Sequence, residues 1–140
     1  MIEFLVDTNV ISELFKPLPN QFVMTWLSSQ NIIGISVISV EEIYYGLTYK
    51  NAQKQLNWFS NFLDYRCQIF VITPQIAQRC GELRAKLRQQ GITRTQADLL
   101  IASTAYEYQL SIVTRNTKDF TNCDINIFNP FLEQNPEIEL

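Results

Sequence analysis

Five short apolar runs, separated by segments with helical periodicity, limit the folds open to this chain more than any other feature. Each run has strand length; the runs lie at residues 2–6, 32–36, 69–72, 111–114 and 125–128. The segments between them predict helices at residues 10–16, 20–30, 39–49, 51–65, 74–90 and 96–108. Because strands and helices alternate from end to end, we predict an α/β sandwich built on a parallel sheet.

The helix at 74–90 is the most clearly marked of these. Thr73 is its expected cap, Pro74 occupies its first turn and Gly91 ends it. Its apolar residues recur at spacings of four and three, which places them on one face: Ile76, Cys80, Leu83 and Leu87. That face should pack against the sheet.

Histidine is absent from the 140 residues. Its absence removes the commonest general base and metal ligand, and with it Ser–His and Cys–His nucleophile pairs. The three cysteines, Cys67, Cys80 and Cys123, lack Cys-x-x-Cys spacing, so neither a zinc site nor a disulfide framework is expected. Any chemistry must therefore use carboxylates, hydroxyls, amides, lysines or cysteines.

Length and charge favour one domain followed by a short tail. We place the domain at residues 1–131 and an acidic tail at 132–140. The formal net charge is −3, and Glu133, Glu137 and Glu139 of the tail account for it. A neutral body argues against nucleic-acid binding by bulk charge, but it allows a local basic strip. Because no basic leader or membrane-spanning apolar run is visible, we expect a cytosolic protein.

Four acidic residues lie where the chain enters a helix or leaves a strand: Asp7, Glu42, Asp98 and Asp119. Sites in open parallel sheets form at the carboxyl ends of the strands. These carboxylates should therefore share one edge, where they would repel one another unless a cation lay between them. Oxygen ligands without His or Cys suit Mg²⁺ or Mn²⁺ rather than zinc.

Each acid also has a purely structural reading. Ser39-x-x-Glu42 and Thr95-x-x-Asp98 match the capping box, in which Ser39 or Thr95 caps a helix and the acid complements its dipole. Asp7 would then simply begin a turn. Taken singly, each acid is more readily explained in this way, but four acids at equivalent junctions are not.

Four segments carry a specific resemblance. "FLVDTNVISEL", "ISVISVEEIYYGL", "QADLLIASTA" and "SIVTRNTKDF", in this order and spacing, resemble the PIN domain. They are most similar to the VapC- and FitB-type toxins of prokaryotic toxin–antitoxin pairs, and the similarity extends to about Phe131. The resemblance implies a PIN-like three-layer sandwich, in which helices flank a central, mostly parallel, twisted sheet. It also implies a Mg²⁺-dependent endoribonuclease whose acidic quartet binds one or two ions.

Carried over to this chain, the resemblance makes Asp7, Glu42 and Asp98 the first three catalytic acids and metal ligands. Many PIN domains have a fourth acid two residues after the Thr that ends the fourth strand. This chain has Asn116 at that place. We therefore assign the fourth position of the acidic quartet, called the fourth corner below, to Asp119, with Asn116 as a polar partner.

Further residues are expected to contact the substrate or to orient the acids: Asn9, Thr114, Asn116, Arg94 and Arg115. Thr114 ends a strand near the acids and suits a ligand or a phosphate oxygen. Arg94 and Arg115, with Lys118, lie beside the motif acids in the sequence. These three cations are the best candidates for phosphate contacts.

The same resemblance implies an RNA substrate, a homodimer and a small VapB-like antitoxin that inserts an Arg or Lys among the acids. Apolar residues of the antitoxin would rest in a groove lined by Phe15, Tyr45 and their neighbours. Three other functions stay open: a housekeeping PIN-fold nuclease for DNA or RNA, a non-catalytic PIN-like binding module, and a metal-dependent phosphatase. The phosphatase is disfavoured because Asn9 stands where the second Asp of an Asp-x-Asp pair would be.

Overall fold

The sheet forms as the apolar runs predict. The computed structural model describes residues 1–133. The strands are β1 (Phe4–Val6), β2 (Ile33–Ser36), β3 (Cys67–Phe70), β4 (Ser111–Val113) and β5 (Ile127–Phe128). They lie in the order β3-β2-β1-β4-β5, and every pair is parallel. The prediction of an α/β sandwich on a parallel sheet is confirmed.

Helices connect the strands and cover both faces of the sheet. They are α1 (Thr8–Ser12), α2 (Gln21–Ser29), α3 (Val37–Tyr49), α4 (Gln53–Arg66), α5 (Pro74–Gln89) and α6 (Gln96–Glu107). Two 3-10 turns occupy Glu13–Phe15 and Thr117–Phe120. Among residues 1–133, no helix combines the length and the apolar character that a membrane crossing needs. The tail expected at 132–140 lies almost wholly outside the described residues.

Buried side chains form two cores, one on each side of the sheet. Successive residues of a strand face opposite sides. Leu5 and Ile112 therefore belong to one core, together with side chains of α5 and α6. Val6 and Val113 belong to the other, together with side chains of α1 to α4. The apolar face predicted for α5 is buried as expected.

The start of α3 differs from the prediction. Ser36, the last residue of β2, caps the helix, because its hydroxyl accepts the Ile38 N–H at 3.1 Å. The helix therefore begins at Val37. Ser39 is not the cap but lies buried inside the helix. Glu42 consequently falls in the second turn of α3 rather than in the first.

The third strand begins two residues earlier than predicted. The apolar run continues to Ile72, but pairing with β2 places Cys67 opposite Ile33 and Phe70 opposite Ser36. Because β2 ends at that point, the residues after Phe70 have no neighbouring strand to pair with. Pairing, not hydrophobicity, sets the limits of β3.

The strand order places β1 at the centre of the sheet. Its hydrogen bonding to β4 continues one residue beyond the strand, since the Asp7 N–H donates to the Val113 carbonyl at 2.9 Å. On the other side, β1 and β2 approach closely at Gly34, where a Cβ would come within 2.8 Å of the Phe4 carbonyl oxygen. The carboxyl ends of β1, β2 and β4 therefore meet at one edge.

Candidate active site

Asp7 follows the central strand, and hydrogen bonds fix both of its carboxylate oxygens. Oδ1 accepts the Thr8 backbone N–H at 2.8 Å. Oδ2 accepts the Thr114 hydroxyl at 2.8 Å and the Asn9 side-chain amide at 3.0 Å. The residue is only 5% exposed. Asp7 thus caps the N-terminus of α1, and it also places a buried carboxylate at the carboxyl edge of the sheet.

Glu42 is tied to the same corner through Thr8. The Thr8 hydroxyl donates to Glu42 Oε1 at 2.6 Å and also bonds the Ser39 hydroxyl at 2.9 Å. Because Ser39 meets α1 in this way, a small polar residue can be fully buried within α3. Thr8 therefore links the first two predicted acids.

Asp98 lies in the first turn of α6, as predicted. Thr95 caps this helix, since its Oγ1 accepts the Asp98 backbone N–H at 3.1 Å. The cap expected at Thr95 is confirmed. The bond uses the backbone of Asp98, however, so it does not account for the carboxylate.

Asp119 lies in the 3-10 turn Thr117–Phe120, and Asn116 is the residue that precedes this turn. The Asn116 carbonyl accepts the Asp119 N–H at 3.0 Å, and the Asn116 N–H donates to Thr114 Oγ1 at 3.0 Å. Asn116 is exposed, whereas Asp119 is half-buried. The Asn116 backbone therefore connects Thr114, which bonds Asp7, to the turn that carries Asp119.

Electrostatic coupling joins the four carboxylates. Burial raises the pKa of Asp7, and the negative charges of Asp98 and Glu42 raise it further. Burial likewise raises the pKa of Asp98, with added repulsion from Asp119 and Glu42. Each of these acids therefore lies within electrostatic reach of at least one other, as the sheet-edge argument predicts.

Glu13 is a buried acid that, unlike the four site acids, is paired with cations. The residue is 4% exposed, and its Oε1 lies 2.9 Å from Lys16 Nζ and 3.9 Å from Arg115 Nη2. Its Oε2 accepts the Asn20 N–H at 2.8 Å. Burial alone would raise the pKa of Glu13, but these hydrogen bonds and positive charges lower it instead. Both ion pairs found within residues 1–133 use Glu13, and none of the four site acids takes part in one.

The site fits a hard divalent cation by ligand type and by charge. Its donors are carboxylate oxygens, which Mg²⁺ and Mn²⁺ prefer, and their repulsion is the condition that a cation would relieve. In the described part of the chain, no three acidic, His or Cys side chains lie close enough to form a finished metal cluster. The fit to a cation therefore rests on the chemistry and the charge of the donors.

The two arginines predicted to contact phosphate both have protein partners. Arg94 Nη1 donates to the carbonyls of Asp119 and Thr121, at 2.7 and 2.9 Å. Arg94 therefore holds the turn that carries the fourth acid. The Arg115 backbone N–H donates to Asn9 Oδ1 at 3.0 Å. Asn9 in turn joins Arg115 to Asp7.

Sequence reasoning missed the contacts of Thr8 with Ser39 and Glu42, and the buried position of Glu13. Thr8 and Ser39 are 31 positions apart, so no local spacing rule could join them. For Glu13 a signal was present, because an acid three residues before Lys16 on a helical segment predicts an ion pair. The burial of the Glu13 side chain, however, depends on how distant segments pack, and no local spacing predicts it.

A family comparison agrees with this architecture. Residues 4–125 match the family model described as PIN domain. The match covers most of the chain, and the chain belongs to the PIN domain family. The resemblance predicted from the four sequence segments is confirmed.

Relatives within the family include a toxin and a ribonuclease. Toxin FitB of Neisseria gonorrhoeae is 31% identical over 135 residues, which cover 91% of this chain and 97% of that protein. VapC ribonuclease Y4jK of Sinorhizobium fredii is 32% identical over 139 residues, covering 90% of this chain and 96% of that protein. A solved toxin–antitoxin complex from Klebsiella pneumoniae matches with a TM-score of 0.72 at 25% identity, over 91% of this chain and 98% of that one.

We expect Asp7→Asn and Glu13→Gln to change stability in opposite directions at neutral pH in EDTA. The raised pKa of Asp7 means that its ionised form disfavours the folded state. Wild type should therefore lose stability relative to Asp7→Asn as the pH rises above 3.8. The lowered pKa of Glu13 means that its ionised form stabilises the fold. Glu13→Gln should cost about 1.5–3 kcal/mol at neutral pH, and this deficit should shrink as the pH falls below 4.5.

Urea unfolding of the three proteins across this pH range measures both effects, and each variant serves as the control for the other. If Asp7→Asn is destabilised at neutral pH as strongly as Glu13→Gln, the hydrogen bonds of Asp7 outweigh its charge repulsion. That result would contradict the electrostatic account of the site.

Proposed function

We propose that this chain is an endoribonuclease that acts in the cytosol as the toxin of a toxin–antitoxin pair. It hydrolyses phosphodiester bonds in RNA with Mg²⁺, or Mn²⁺, held by Asp7, Glu42, Asp98 and Asp119. One observation carries the proposal: hydrogen bonds hold the buried Asp7 carboxylate, and through Thr8 the Glu42 carboxylate, at the carboxyl edge of the sheet, where no site acid has an ion-pair partner within residues 1–133. Membership of the PIN family and the names of the two relatives support it.

The polar residues around the acids keep the carboxylates charged and oriented. Every hydrogen bond described for the Asp7 carboxylate has it as acceptor, from Thr8, Asn9 and Thr114. These donors favour the ionised form that a cation requires. Thr8 orients Glu42 in the same way, because its hydroxyl donates to the Glu42 carboxylate. The chain thus supplies a set of fixed negative charges.

Hydrolysis at such a site needs no histidine, and the chain has none. The bound ion would lower the pKa of a water molecule for attack on phosphorus and offset the charge on the leaving oxygen. Asp7, held by Thr114 and Asn9, would keep its position while charge develops. Attack by water on phosphorus, with the 3′-oxygen as the leaving group and no part for the ribose 2′-hydroxyl, would give 5′-phosphate and 3′-hydroxyl ends.

Two alternatives share the fold. A non-catalytic binding module would gain nothing from coupled acids whose repulsion disfavours the folded state, so the electrostatics favour an enzyme. A housekeeping nuclease for DNA or RNA would use the same chemistry. The relatives named toxin and VapC ribonuclease favour the toxin over that alternative.

An inhibitor of this site would best combine a cation with apolar anchors. An Arg side chain bonds carboxylates bidentately and would take the place of the metal. A cavity of about 280 Å³ adjoins Glu42, and it is lined further by Ser12, Phe15, Ile43, Gly46, Leu47, Lys50 and Gln55. We propose that a small VapB-like antitoxin fills this cavity with an apolar side chain and inserts Arg or Lys among the acids.

The groove predicted from the sequence needs one correction. Phe15 lines the cavity beside Glu42, but Tyr45 does not. Tyr45 lies with Tyr44 and Tyr49 in a separate, shallow apolar depression. The cavity and the depression are separate because Tyr45 and Gly46 lie on different sides of α3. The homodimer remains a proposal that the family resemblance supports.

Metal-dependent cleavage tests the proposed activity. Purified protein should cut single-stranded RNA in Mg²⁺ or Mn²⁺ and should stop in EDTA. Asp98→Asn should lower the rate by about 100-fold or more, because it removes a charge at the reacting phosphate. Asp64→Asn is the matched control, since Asp64 is an exposed acid of α4 and should cleave like wild type. Cleavage that persists in EDTA, or products with 2′,3′-cyclic phosphate ends, would contradict the mechanism; single-stranded DNA of the same sequence tests the DNA alternative.

The fourth corner can be assigned by metal titration. Asp119→Asn should weaken Mn²⁺ binding by about 10-fold or more, whereas Asn116→Ala should change it little. The reason is that removal of a ligand charge costs more affinity than removal of an exposed amide. Isothermal titration calorimetry of both variants measures the difference. The reverse order would give the corner to Asn116.

Expression in bacteria tests the biological role. The chain alone should arrest growth, and co-expression of a small protein encoded by the neighbouring gene should restore it. Asp98→Asn, produced at the same level, should be harmless because the arrest depends on cleavage. A wild-type chain that cleaves RNA in vitro but leaves growth unchanged would exclude the toxin role and favour a housekeeping nuclease.

A further inference from the structure

We propose that Lys16 and Arg115 form a binding subsite for a backbone phosphate of RNA, held in place by Glu13 beside the acid edge. The inference rests on the proposed function for its ligand, because the phosphate would neighbour the one that is cleaved. The acids attract a metal ion but repel the substrate. A phosphate subsite next to them would offset that repulsion.

Glu13 gathers the two cations around one carboxylate. The same oxygen, Oε1, lies 2.9 Å from Lys16 Nζ and 3.9 Å from Arg115 Nη2. The Glu13 side chain is 5% exposed, whereas those of Lys16 and Arg115 are 53% and 49% exposed. The carboxylate therefore lies beneath the cations, which remain open to a ligand. Two positive charges on one buried negative charge leave a net positive patch.

Hydrogen bonds connect this patch to the acids. The Arg115 N–H donates to Asn9 Oδ1 at 3.0 Å, and the Asn9 amide donates to Asp7 Oδ2 at 3.0 Å. The Arg115 guanidinium also lies 4.0 Å from the centre of the Phe131 ring. Stacking of this kind restricts a long side chain, so that less entropy is lost when it binds phosphate. The subsite is thus both near the acids and partly preorganised.

Arg94, which was also predicted to contact phosphate, is less suited to this role. Arg94 directs its N–H groups to the carbonyls of Asp119 and Thr121 and to the Thr121 hydroxyl. It therefore stabilises a turn. By contrast, the contact between Arg115 and Glu13 is long, at 3.9 Å, and the Arg115 side chain is half-exposed, so this pair contributes little free energy. A phosphate that binds the Arg115 guanidinium bidentately would compete well with it.

A purely structural role for this cluster is the alternative. Glu13 also accepts the Asn20 N–H, so it fixes the start of α2. In that case the charges of Lys16 and Arg115 would matter only for stability. Lys16→Gln separates the two roles, because it removes an exposed charge and leaves the contacts of Glu13 with Asn20 and Arg115 in place.

RNA binding in EDTA measures the subsite without cleavage. A fluorescent single-stranded RNA is titrated with wild type, Lys16→Gln, and the double variant Lys16→Gln/Arg115→Gln at several salt concentrations. The double variant should bind about 10-fold more weakly at low salt. The slope of log K against log salt should fall by about 0.7 for each phosphate that the variant no longer neutralises. Lys16→Gln should bind with intermediate affinity, and it should lose less stability in urea than Glu13→Gln does, because Glu13 keeps its contacts with Asn20 and Arg115.

The matched control is Lys86→Gln/Arg88→Gln, which removes the same charge from exposed positions of α5. It should leave the salt slope unchanged. Equal decreases of affinity and slope in the two double variants would overturn the subsite, because net charge alone would then explain both. Wild-type binding by Lys16→Gln, with a weakening in the double variant that tracks its stability, would also overturn it.

Substrates with one neutral methylphosphonate linkage locate the subsite during cleavage. In Mg²⁺, wild type should cut about 10-fold more slowly when one particular linkage beside the scissile phosphate is neutral. The double variant should show no further decrease in rate at that linkage. If the neutral linkage lowers the rate of the double variant by the same factor as that of wild type, the two effects are independent. That result would overturn the subsite and leave the nuclease function standing. If wild type cuts no RNA but the binding test gives the expected result, the nuclease function fails and the phosphate subsite stands.

Discussion

Burial of one ionisable group, Asp7, at the end of the central strand is the constraint on which the rest of the structure depends. A carboxylate with little access to water needs hydrogen-bond donors. The neighbouring segments supply them: Thr8 and Asn9 from the start of α1, and Thr114 from the residue after β4. Thr114 is available because β1 and β4 pair with Val6 opposite Val113. Satisfying one side chain thus fixes the sheet register, the entry into α1 and the geometry of the site together.

The protein treats its buried acids in two different ways. Glu13 receives cations and a backbone N–H, and its pKa falls. Asp7 and Asp98 have no ion-pair partner within residues 1–133, and burial together with neighbouring acids raises their pKa values, although the charge of Arg94 partly offsets this at Asp98. The first arrangement stabilises the folded state, and the second destabilises it. A binding site for a cation requires the second, because a carboxylate already paired with Lys or Arg is a poor ligand. Stability and function are therefore assigned to different acids of the same chain.

The parts of the fold that sequence patterns predicted are those with local causes. Alternating apolar runs and helical segments define a parallel sheet, and strand ends identify Asp7 and Asp119 as edge residues. The start of α3 was mispredicted because Ser36 and Ser39 both suit a cap, and only the end of strand pairing decides between them. Thr8 bonds Glu42, and Arg94 bonds the turn that carries Asp119, between residues that are 34 and 25 positions apart in the sequence. No spacing rule encodes such contacts.

The strand order has a consequence for the time at which the site can exist. Asp7 is made before its partner Thr114, which lies 107 positions further along the chain, and Asp119 comes later still. A chain that is still growing on the ribosome lacks β4, so β1 has no neighbour on that side and the acids cannot be assembled. The order in which the segments are synthesised therefore delays assembly of the acid edge until β4 and the turn that follows it have been made. Only a chain that has been extended beyond Asp119 contains all four acids.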